Sequence, residues 1–242
     1  MKLSDIHVVS VCVNFSDFFA WSALVNKAIF PNWTIITTPD DIKTQHICNT
    51  YQINCIKTNV FYEDGKKFNK FGSINLALET IKEKWILFLD IDVLLPYLPT
   101  KRVLENLDLD PNCLYGIDRF NCVGLTNLVK YLAYPDVVHD NWLMDMYRFE
   151  VGARIAQYYG GEIDKGIFQG WLPLGFFQLA HRDTFEVYPS GCDGADHCDI
   201  IFAKQYHRRN RIFIPEIMAI HIASDGSWGT NWGGRTTKEF TY

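Results

Sequence analysis

Apolar runs and polar breaks alternate along the first half of the chain in a strand–helix rhythm. Residues 6–13 form a β-branched run that stops at Asn14, as a first strand and its exit loop would. Ser16 and Asp17 then stand at the head of an amphipathic stretch, 18–30, closed by Pro31. A second strand is predicted over 33–37. Thr38-Pro39-Asp40-Asp41 follows, and its aspartates suit the cap of a helix holding Ile42, His46 and Ile47. Residues 53–58 predict a third strand, with a polar loop through Gly65 behind it. Apolar positions 74, 77, 78 and 81 recur at helical spacing after Gly72 and Ser73, and that helix leads into five consecutive apolar residues, 85–89. Such a run is too short for a membrane span and lacks helical spacing, so it reads as a strand buried on both faces. Strands alternating with helices of this length predict an α/β fold with a mostly parallel, Rossmann-like sheet flanked by helices.

Beyond Pro96 and Pro99 the pattern predicts a short helix over 101–107 and a strand over 113–117 that ends in Asp118-Arg119. From 120 to 170 the chain becomes dense in aromatics, with Trp142, Leu143, Met146, Phe149, Val151 and Ile155 at helical spacing, and reads as a helical insert over the active-site face. Further strands are expected at 176–180, 212–214 and 217–222, with a helix over 195–206. The tail, 224–242, is rich in Gly, Thr and Trp and reads as a lid or crevice-edge loop.

Composition narrows the picture. With 242 residues, 48% of them hydrophobic, the chain can bury a large core, which excludes a disordered scaffold. A net charge of -5 gives no global pull toward nucleic acid or an anionic membrane, and the densest basic run, His207-Arg208-Arg209-Asn210-Arg211, reads equally well as a solvated helix end. Seven cysteines are odd in number and scattered without a CxxC pair, so reduced thiols and a cytoplasmic setting, bacterial or in a virally infected host, are the expectation. Residues 1–7 lack the apolar core of a signal peptide, and no membrane span is expected, since no run approaches the ~20 residues of a spanning helix.

The predicted strand at 85–89 ends in Asp90-Ile91-Asp92. Ligands of open α/β sheets bind at the carboxyl ends of the strands, and residues two apart in an extended chain point the same way. Two carboxylates in one crevice repel each other and stay ionised most easily around a hard divalent cation, so the pair points to a metal–diphosphate site. The plain alternative is a strand whose polar end meets water.

Four motifs carry a family resemblance. Phe68-Asn69-Lys70 with Asn75 is similar to a nucleotide-contacting FNR/K…N segment, and Leu89-Asp90-Ile91-Asp92-Val93 with Pro96 is similar to a D-x-D strand. Gly191-Cys192-Asp193-Gly194-Ala195-Asp196-His197-Cys198-Asp199-Ile200 resembles a G-W-G-x-E-D-D-D-I segment, and Met218-Ala219-Ile220-His221 a late M-x-x-H that completes a metal site. Together they resemble the GT-A fold glycosyltransferases, within them the inverting β-1,4-galactosyltransferase-like and family 2-like enzymes. Cys192 stands near the place of that family's tryptophan and His197 replaces one of its acids.

The resemblance implies a metal-dependent enzyme that moves a sugar from a nucleoside-diphosphate sugar, most simply a UDP-hexose, to an acceptor hydroxyl with inversion. Mn²⁺ or Mg²⁺ would be the cofactor, and the acceptor a glycan, a protein or, in a viral setting, DNA with hydroxylated bases. Residues 1–119 would form the nucleotide-binding half, 120–170 the insert, and 171–242 the acceptor and catalytic half of a single domain.

Sugar transfer passes through an oxocarbenium-like state while the departing diphosphate gains charge. Asp92 with Asp90 and a neutral His221 imidazole would hold the metal, and Asp90 with Ile91 could instead serve the ribose side. Asp196 is the first candidate for the general base because it stands at the mouth of a Gly-rich loop; Asp193 and Asp199 are alternatives, and helix capping accounts for such aspartates without catalysis. Cys192, His197 and Cys198 as zinc ligands lack a fourth partner at finger-like spacing. Lys70 is placed to meet an anion at a helix N-terminus, with Asn69 beside it. Val13, Asn14, Thr38 and Asp40 or Asp41 are candidates for nucleoside contacts, and Arg235 for closing on the diphosphate from the tail. Trp171, Trp228 and Trp232 offer sugar-stacking faces, and Gly175 would allow close approach of a sugar. Two other classes share these features: a non-catalytic nucleotide-sugar-binding protein, and the DxD phosphatases, which place the motif near the N-terminus.

Overall fold

Residues 2–133, 172–189, 198–224, 235 and 238–240 are described by a computed structural model. Within them, strands β1 (Ile6–Val11), β2 (Asn32–Thr37), β3 (Asn54–Lys57), β4 (Trp85–Leu89), β5 (Val93–Leu94), β6 (Leu114–Val123), β7 (Phe177–His181) and β8 (Arg211–Ala223) join one sheet in the order β3-β2-β1-β4-β7-β6-β8-β5. Helices α1 (Ser16–Asn26), α2 (Ile42–Tyr51), α3 (Lys70–Leu78), α4 (Tyr97–Asn106), α5 (Leu125–Ala133) and α6 (Cys198–Gln205) flank it. The β3-β2-β1-β4 half is parallel throughout, as is β6-β8, whereas β7 runs antiparallel to both of its neighbours and β5 antiparallel to β8. The chain is thus α/β with a mixed sheet whose amino-terminal half, β3-β2-β1-β4, is parallel.

Alternation along the central strands divides the core in two. Leu87 and Leu89 of β4 join Ile6 and Val8 of β1 beneath α1, α2, α4 and α5, while Ile86 and Phe88 join Val9 beneath α3 and α6. A strand covered on both faces has no polar face, which is why 85–89 is apolar without a break.

Several boundaries differ from the sequence expectation. α4 begins at Tyr97 rather than 101, directly behind Pro96, because Pro99 falls in the first turn, where no N–H is needed. β6 continues six residues past Ile117, and the segment expected to open the insert at 120 is sheet as far as Val123. The two strands expected at 212–214 and 217–222 are one strand, β8, and its register against β6 jumps between Gly116 and Asp118. Pro215 lies in that jump, where a residue without an N–H interrupts pairing but not the strand. Cys198 is disulfide-bonded, against the expectation of reduced thiols, whereas Cys12, Cys48, Cys55, Cys113 and Cys122 are free; spacing along a chain does not reveal pairing in space. A sulfur held in a disulfide is no thiolate ligand, which removes Cys198 from the zinc reading. Residues 134–171 of the expected insert, the loop at 190–197 and most of the tail lie outside the described residues. No described helix is long and apolar enough to cross a membrane.

At the amino edge of the sheet His7 bridges three elements. Its Nδ1 lies 3.0 Å from Glu83 Oε2 and its Nε2 2.8 Å from Thr34 Oγ1, which also accepts from Asn54 Nδ2 at 3.0 Å. A neutral ring satisfies the whole network, with Nδ1–H donating to Glu83 and Nε2 accepting from Thr34. Burial holds the His7 pKa below the usual imidazole value despite the opposing pull of Glu83. The unfolded chain therefore takes up this proton first on acidification, and stability is lost as pH falls from about 6.5 toward the folded value. Urea unfolding of His7→Gln is expected to show a shallower loss of stability between pH 7 and pH 5 than the parent protein. An equal slope in the two proteins would contradict this account.

Candidate active site at the carboxyl edge of the sheet

The carboxyl ends of β1, β2, β4, β6 and β8 and the start of β7 lie along one edge of the sheet, and most candidate residues converge there. The Asp-Ile-Asp segment is not extended. β4 ends at Leu89, and Val93 N donates to Asp90 O at 3.3 Å, closing a turn that sends the two carboxylates to different partners. The expectation of two parallel side chains fails because the strand stops one residue before Asp90.

Asp90 turns toward α3. Its Oδ1 accepts from Lys70 Nζ at 2.7 Å, and both groups line a cavity of about 90 Å³ with Ser10, Phe88, Gly175, Tyr188 and Asp199. Burial would lower the Lys70 pKa, but Asp90, Asp199 and Asp92 outweigh it and raise the pKa above the ordinary lysine value, so the ammonium is retained.

Asp92 turns toward β8. Its Oδ2 lies 3.3 Å from His221 Nε2, and the surrounding backbone fixes the pair: Val93 sits opposite His221 in the β5–β8 ladder, and Ile222 N donates to Asp92 O at 2.8 Å. His221 Nδ1 lies 3.0 Å from Asn121 Oδ1, the same-register residue of β6. In the neutral ring with Nδ1–H given to the amide oxygen, Nε2 turns a lone pair to the Asp92 carboxylate, whereas in the protonated ring Nε2–H donates to it. Two facing lone-pair donors are satisfied by a proton or by a cation between them, and a histidine whose other nitrogen donates to a carbonyl is the usual metal-ligand arrangement. Burial alone would raise the Asp92 pKa; His221 and the nearby Arg119 reverse this and hold it below the usual carboxylate range. The fit is to a cation held by two protein ligands, Asp92 and His221. Among the described residues no cluster of three or more His, Cys, Asp or Glu side chains is poised for a metal, so the three-ligand set including Asp90 is not assembled.

Asp199 occupies the first turn of α6. Its Oδ2 accepts from Gly175 N and its Oδ1 from Ile200 N, each at 2.8 Å. A Cβ on Gly175 would stand 2.8 Å from Asp199 Cβ, so the close approach that glycine permits is that of this aspartate. Of the three candidate bases, Asp199 is brought to the site, while Asp193 and Asp196 lie outside the described residues, as do Trp171, Trp228 and Trp232.

A second, larger cleft of about 450 Å³ lies at the ends of β1 and β2, lined by Asn14, Ser16, Asp17, Asp40, Asp41 and Arg235 among others. Asn14 adopts the left-handed conformation, φ 59°. Asp41 is turned inward as the cap of α2: its carboxylate accepts from Thr44 N, Thr44 Oγ1 and Asn14 N at 3.1, 2.7 and 2.8 Å, which leaves Asp40 as the exposed acid of this loop. Val13 and Thr38 are buried, and Ile91 is buried behind the Asp90 turn. Asn69 is also committed to structure, capping α3 through Gly72 N and donating to Val60 O.

Arg235 does not reach toward the Asp90 turn. It grips Asp17 through two bonds of 2.6 and 2.7 Å and lies over the rings of Phe15 and Phe18; Phe240 N adds a third bond to Asp17. A bidentate carboxylate is a strong partner for a guanidinium, and Arg235 and Phe240 are thereby strapped to the head of α1.

Arg119 was not marked as functional by the sequence. It lies inside β6, 9% exposed, with its guanidinium 4.5 Å over the Phe176 ring and in the field of Asp92, Asp90, Asp118 and Asp199. Asn121 was missed for the same reason: both residues sit past the point where charge seemed to end the strand. A signal was available, since Arg119 and Asn121 alternate with the apolar positions Phe120 and Cys122 in a strand-like run.

The chain matches no family model and no curated protein. Among solved structures it is similar to glucosyl-3-phosphoglycerate synthase from Mycobacterium tuberculosis in complex with phosphoglyceric acid, at 11% identity and a TM-score of 0.53, covering 90% of this chain and 70% of that one. The same enzyme in complex with Mn²⁺, UDP-glucose and phosphoglyceric acid gives 11% identity and a TM-score of 0.52, over 89% of this chain and 71% of that one. At this identity the likeness shows the fold alone, and the fold is the GT-A, Rossmann-like α/β type.

Proposed function

We propose that this protein is a metal-dependent glycosyltransferase that uses a nucleoside-diphosphate sugar, a UDP-hexose first among candidates, and transfers the sugar to an acceptor hydroxyl with inversion. The observation that carries the reading is the Asp92 carboxylate 3.3 Å from Nε2 of His221, with Asn121 at the other ring nitrogen, at the carboxyl edge of a GT-A sheet. Structures of the similar synthase hold Mn²⁺ and UDP-glucose, which supports the same donor chemistry here.

The residues divide the work by position. The cleft at β1 and β2, with Asn14 and Asp40, would take the nucleoside. Lys70, kept protonated by Asp90, would meet negative charge on the diphosphate. Asp92 and His221 would hold a divalent cation, which when bound stabilises the leaving diphosphate as a Lewis acid. Two protein ligands leave most of a hard cation's six positions to phosphate oxygens and water. Metal and nucleotide should therefore bind as one unit. Asp196 is the proposed base that takes the acceptor proton, with Asp199 the alternative that lies beside Lys70.

Thermal unfolding with UDP-glucose, UDP-galactose, GDP-mannose and CDP-glucose, each with and without Mn²⁺, tests the reading. The melting temperature is expected to rise for a UDP-sugar with Mn²⁺ together and little for either alone. No rise with any of them overturns the donor assignment; a rise without sugar release or transfer to any acceptor supports the non-catalytic binding protein instead.

A further inference from the structure

Two of the free thiols touch each other, away from the metal-ligand pair. Cys48 lies in the last turn of α2 and is fully buried, whereas Cys55 lies half-buried on β3, the edge strand of the sheet. The chain reverses between them at Gln52, which takes the left-handed conformation (φ 53°), and Ile53 N then donates to Cys48 O at 2.8 Å. β3 is thereby laid back along α2. Alternation along the strand turns Cys55 to the core cluster that holds Cys48 and takes Ile47 and Tyr51, and sends Ile56 to the opposite cluster. A side-chain hydrogen bond joins the two sulfurs.

That contact makes the sulfurs unequal. The bond to Cys55 and burial both raise the Cys48 pKa, so Cys48 keeps its proton and donates it. The same bond, helped by Lys57, lowers the Cys55 pKa against the effect of burial. Cys55 is therefore both the readier thiolate and the sulfur that solvent reaches. In thiol–disulfide exchange the thiolate attacks, and access decides which sulfur meets the reagent. A second thiol stands directly behind it. Core filling accounts for Cys48, sealed beneath α2, but not for a half-open thiol with a thiol donor at its back.

We propose that Cys48 and Cys55 form a thiol–disulfide exchange site, with Cys55 as the attacking sulfur, which low-molecular-weight disulfides oxidise to an intramolecular disulfide that fastens β3 to α2. The Cys55 thiolate attacks one sulfur of the reagent RSSR, giving a mixed disulfide and one RS⁻. This RS⁻ takes the Cys48 proton and leaves as RSH. The Cys48 sulfur then attacks the Cys55 sulfur and expels the second RS⁻, which takes up the proton that Cys55 lost on ionising. In sum, two protein thiols and one RSSR give one protein disulfide and two RSH. The other end of α2 carries Asp41, Ile42 and Lys43 into the larger cleft, so the new bond would stiffen the support of that cleft. The site does not depend on the glycosyltransferase reading.

Peptide mass mapping tests this on the full chain, exposed to glutathione disulfide and then blocked with N-ethylmaleimide. In the parent protein a linked Cys48–Cys55 peptide is expected, with no glutathione retained on either residue, and excess glutathione should reverse it. Cys48→Ser removes the second thiol, so glutathione should remain on Cys55. In Cys55→Ser, Cys48 should react at least about tenfold more slowly than Cys55 does in Cys48→Ser. The buried Cys12, Cys113 and Cys122 should carry no glutathione in any of these proteins. Two free thiols in the exposed parent overturn the proposal, as does glutathione retained there on Cys55, which would put Cys48 out of reach. Equal rates in the two serine variants overturn it as well. If a serine variant does not fold, the linked peptide of the parent still decides.

Discussion

Replacing Asp92 with asparagine is expected to abolish the joint stabilisation by Mn²⁺ and UDP-sugar and to lower transfer by about 10²–10³-fold, the usual scale for removing one strong electrostatic contact to a leaving group. At a nucleotide concentration 100 times Kd the parent protein should gain about 2.7 kcal/mol from binding, and the variant should gain no more than the parent does without metal. The amide keeps the size of the carboxylate and loses its charge, while the turn that carries it is held by backbone bonds from Val93 N and Ile222 N that the substitution leaves alone. The fold should therefore survive. The neighbouring Asp90→Asn separates the two roles: it removes the partner of Lys70, so nucleotide affinity should fall while the requirement for metal persists. A variant at 92 that keeps its metal-dependent shift would exclude this residue as a ligand, whatever its activity.

Phe202→Ala is expected to cost about 3–5 kcal/mol, a large share of the 5–15 kcal/mol that holds a domain together. Its ring lies at the centre of an aromatic cluster, stacked on Tyr188 at 4.5 Å and edge-on to Phe88, Phe185 and Tyr206 at 5.2–5.7 Å. No small shift of α6 can refill that volume, because Phe88 belongs to a central strand and Tyr188 is tied through its hydroxyl to Gln178. Ile201, one residue earlier and 45% exposed, provides the control: its change to alanine should move the urea midpoint by less than about 0.5 kcal/mol. α6 also carries Asp199, so Phe202→Ala should loosen the active-site cavity even where the protein remains folded. A loss below about 1 kcal/mol would mean that α6 does not pack on the sheet as described.

The parallel half of the fold was legible because short β-branched or apolar runs alternate there with helical segments, and β4, apolar throughout and followed by two aspartates, announced the site. Strand direction leaves no trace in the hydrophobic pattern, so the antiparallel β7 in the middle of the sheet was not foreseen. β5 is two residues long, below the length at which alternation means anything. Arg119 and Asn121 were passed over because a charge in a strand ordinarily marks its end. In β6 the charged pair Asp118 and Arg119 is buried inside the strand, at 2% and 9% exposure, and local pattern and fold disagree at the place where the chemistry is expected. Asp41 and Asn69 show the opposite error, in which polar residues at the right edge of the sheet proved to be helix caps.

The β5–β8 ladder joins the two halves of the polypeptide at the site itself. Asp92 follows the fourth strand and His221 lies in the last, so their juxtaposition depends on one of the least local pairings in the chain. Loop closure of that size comes late and slowly during folding. A partly folded molecule could own a complete parallel half and a nucleoside cleft, yet lack any place for a metal. Acquisition of Mn²⁺ affinity during refolding would then report the docking of the final strand, the step that turns a folded half-sheet into a competent protein.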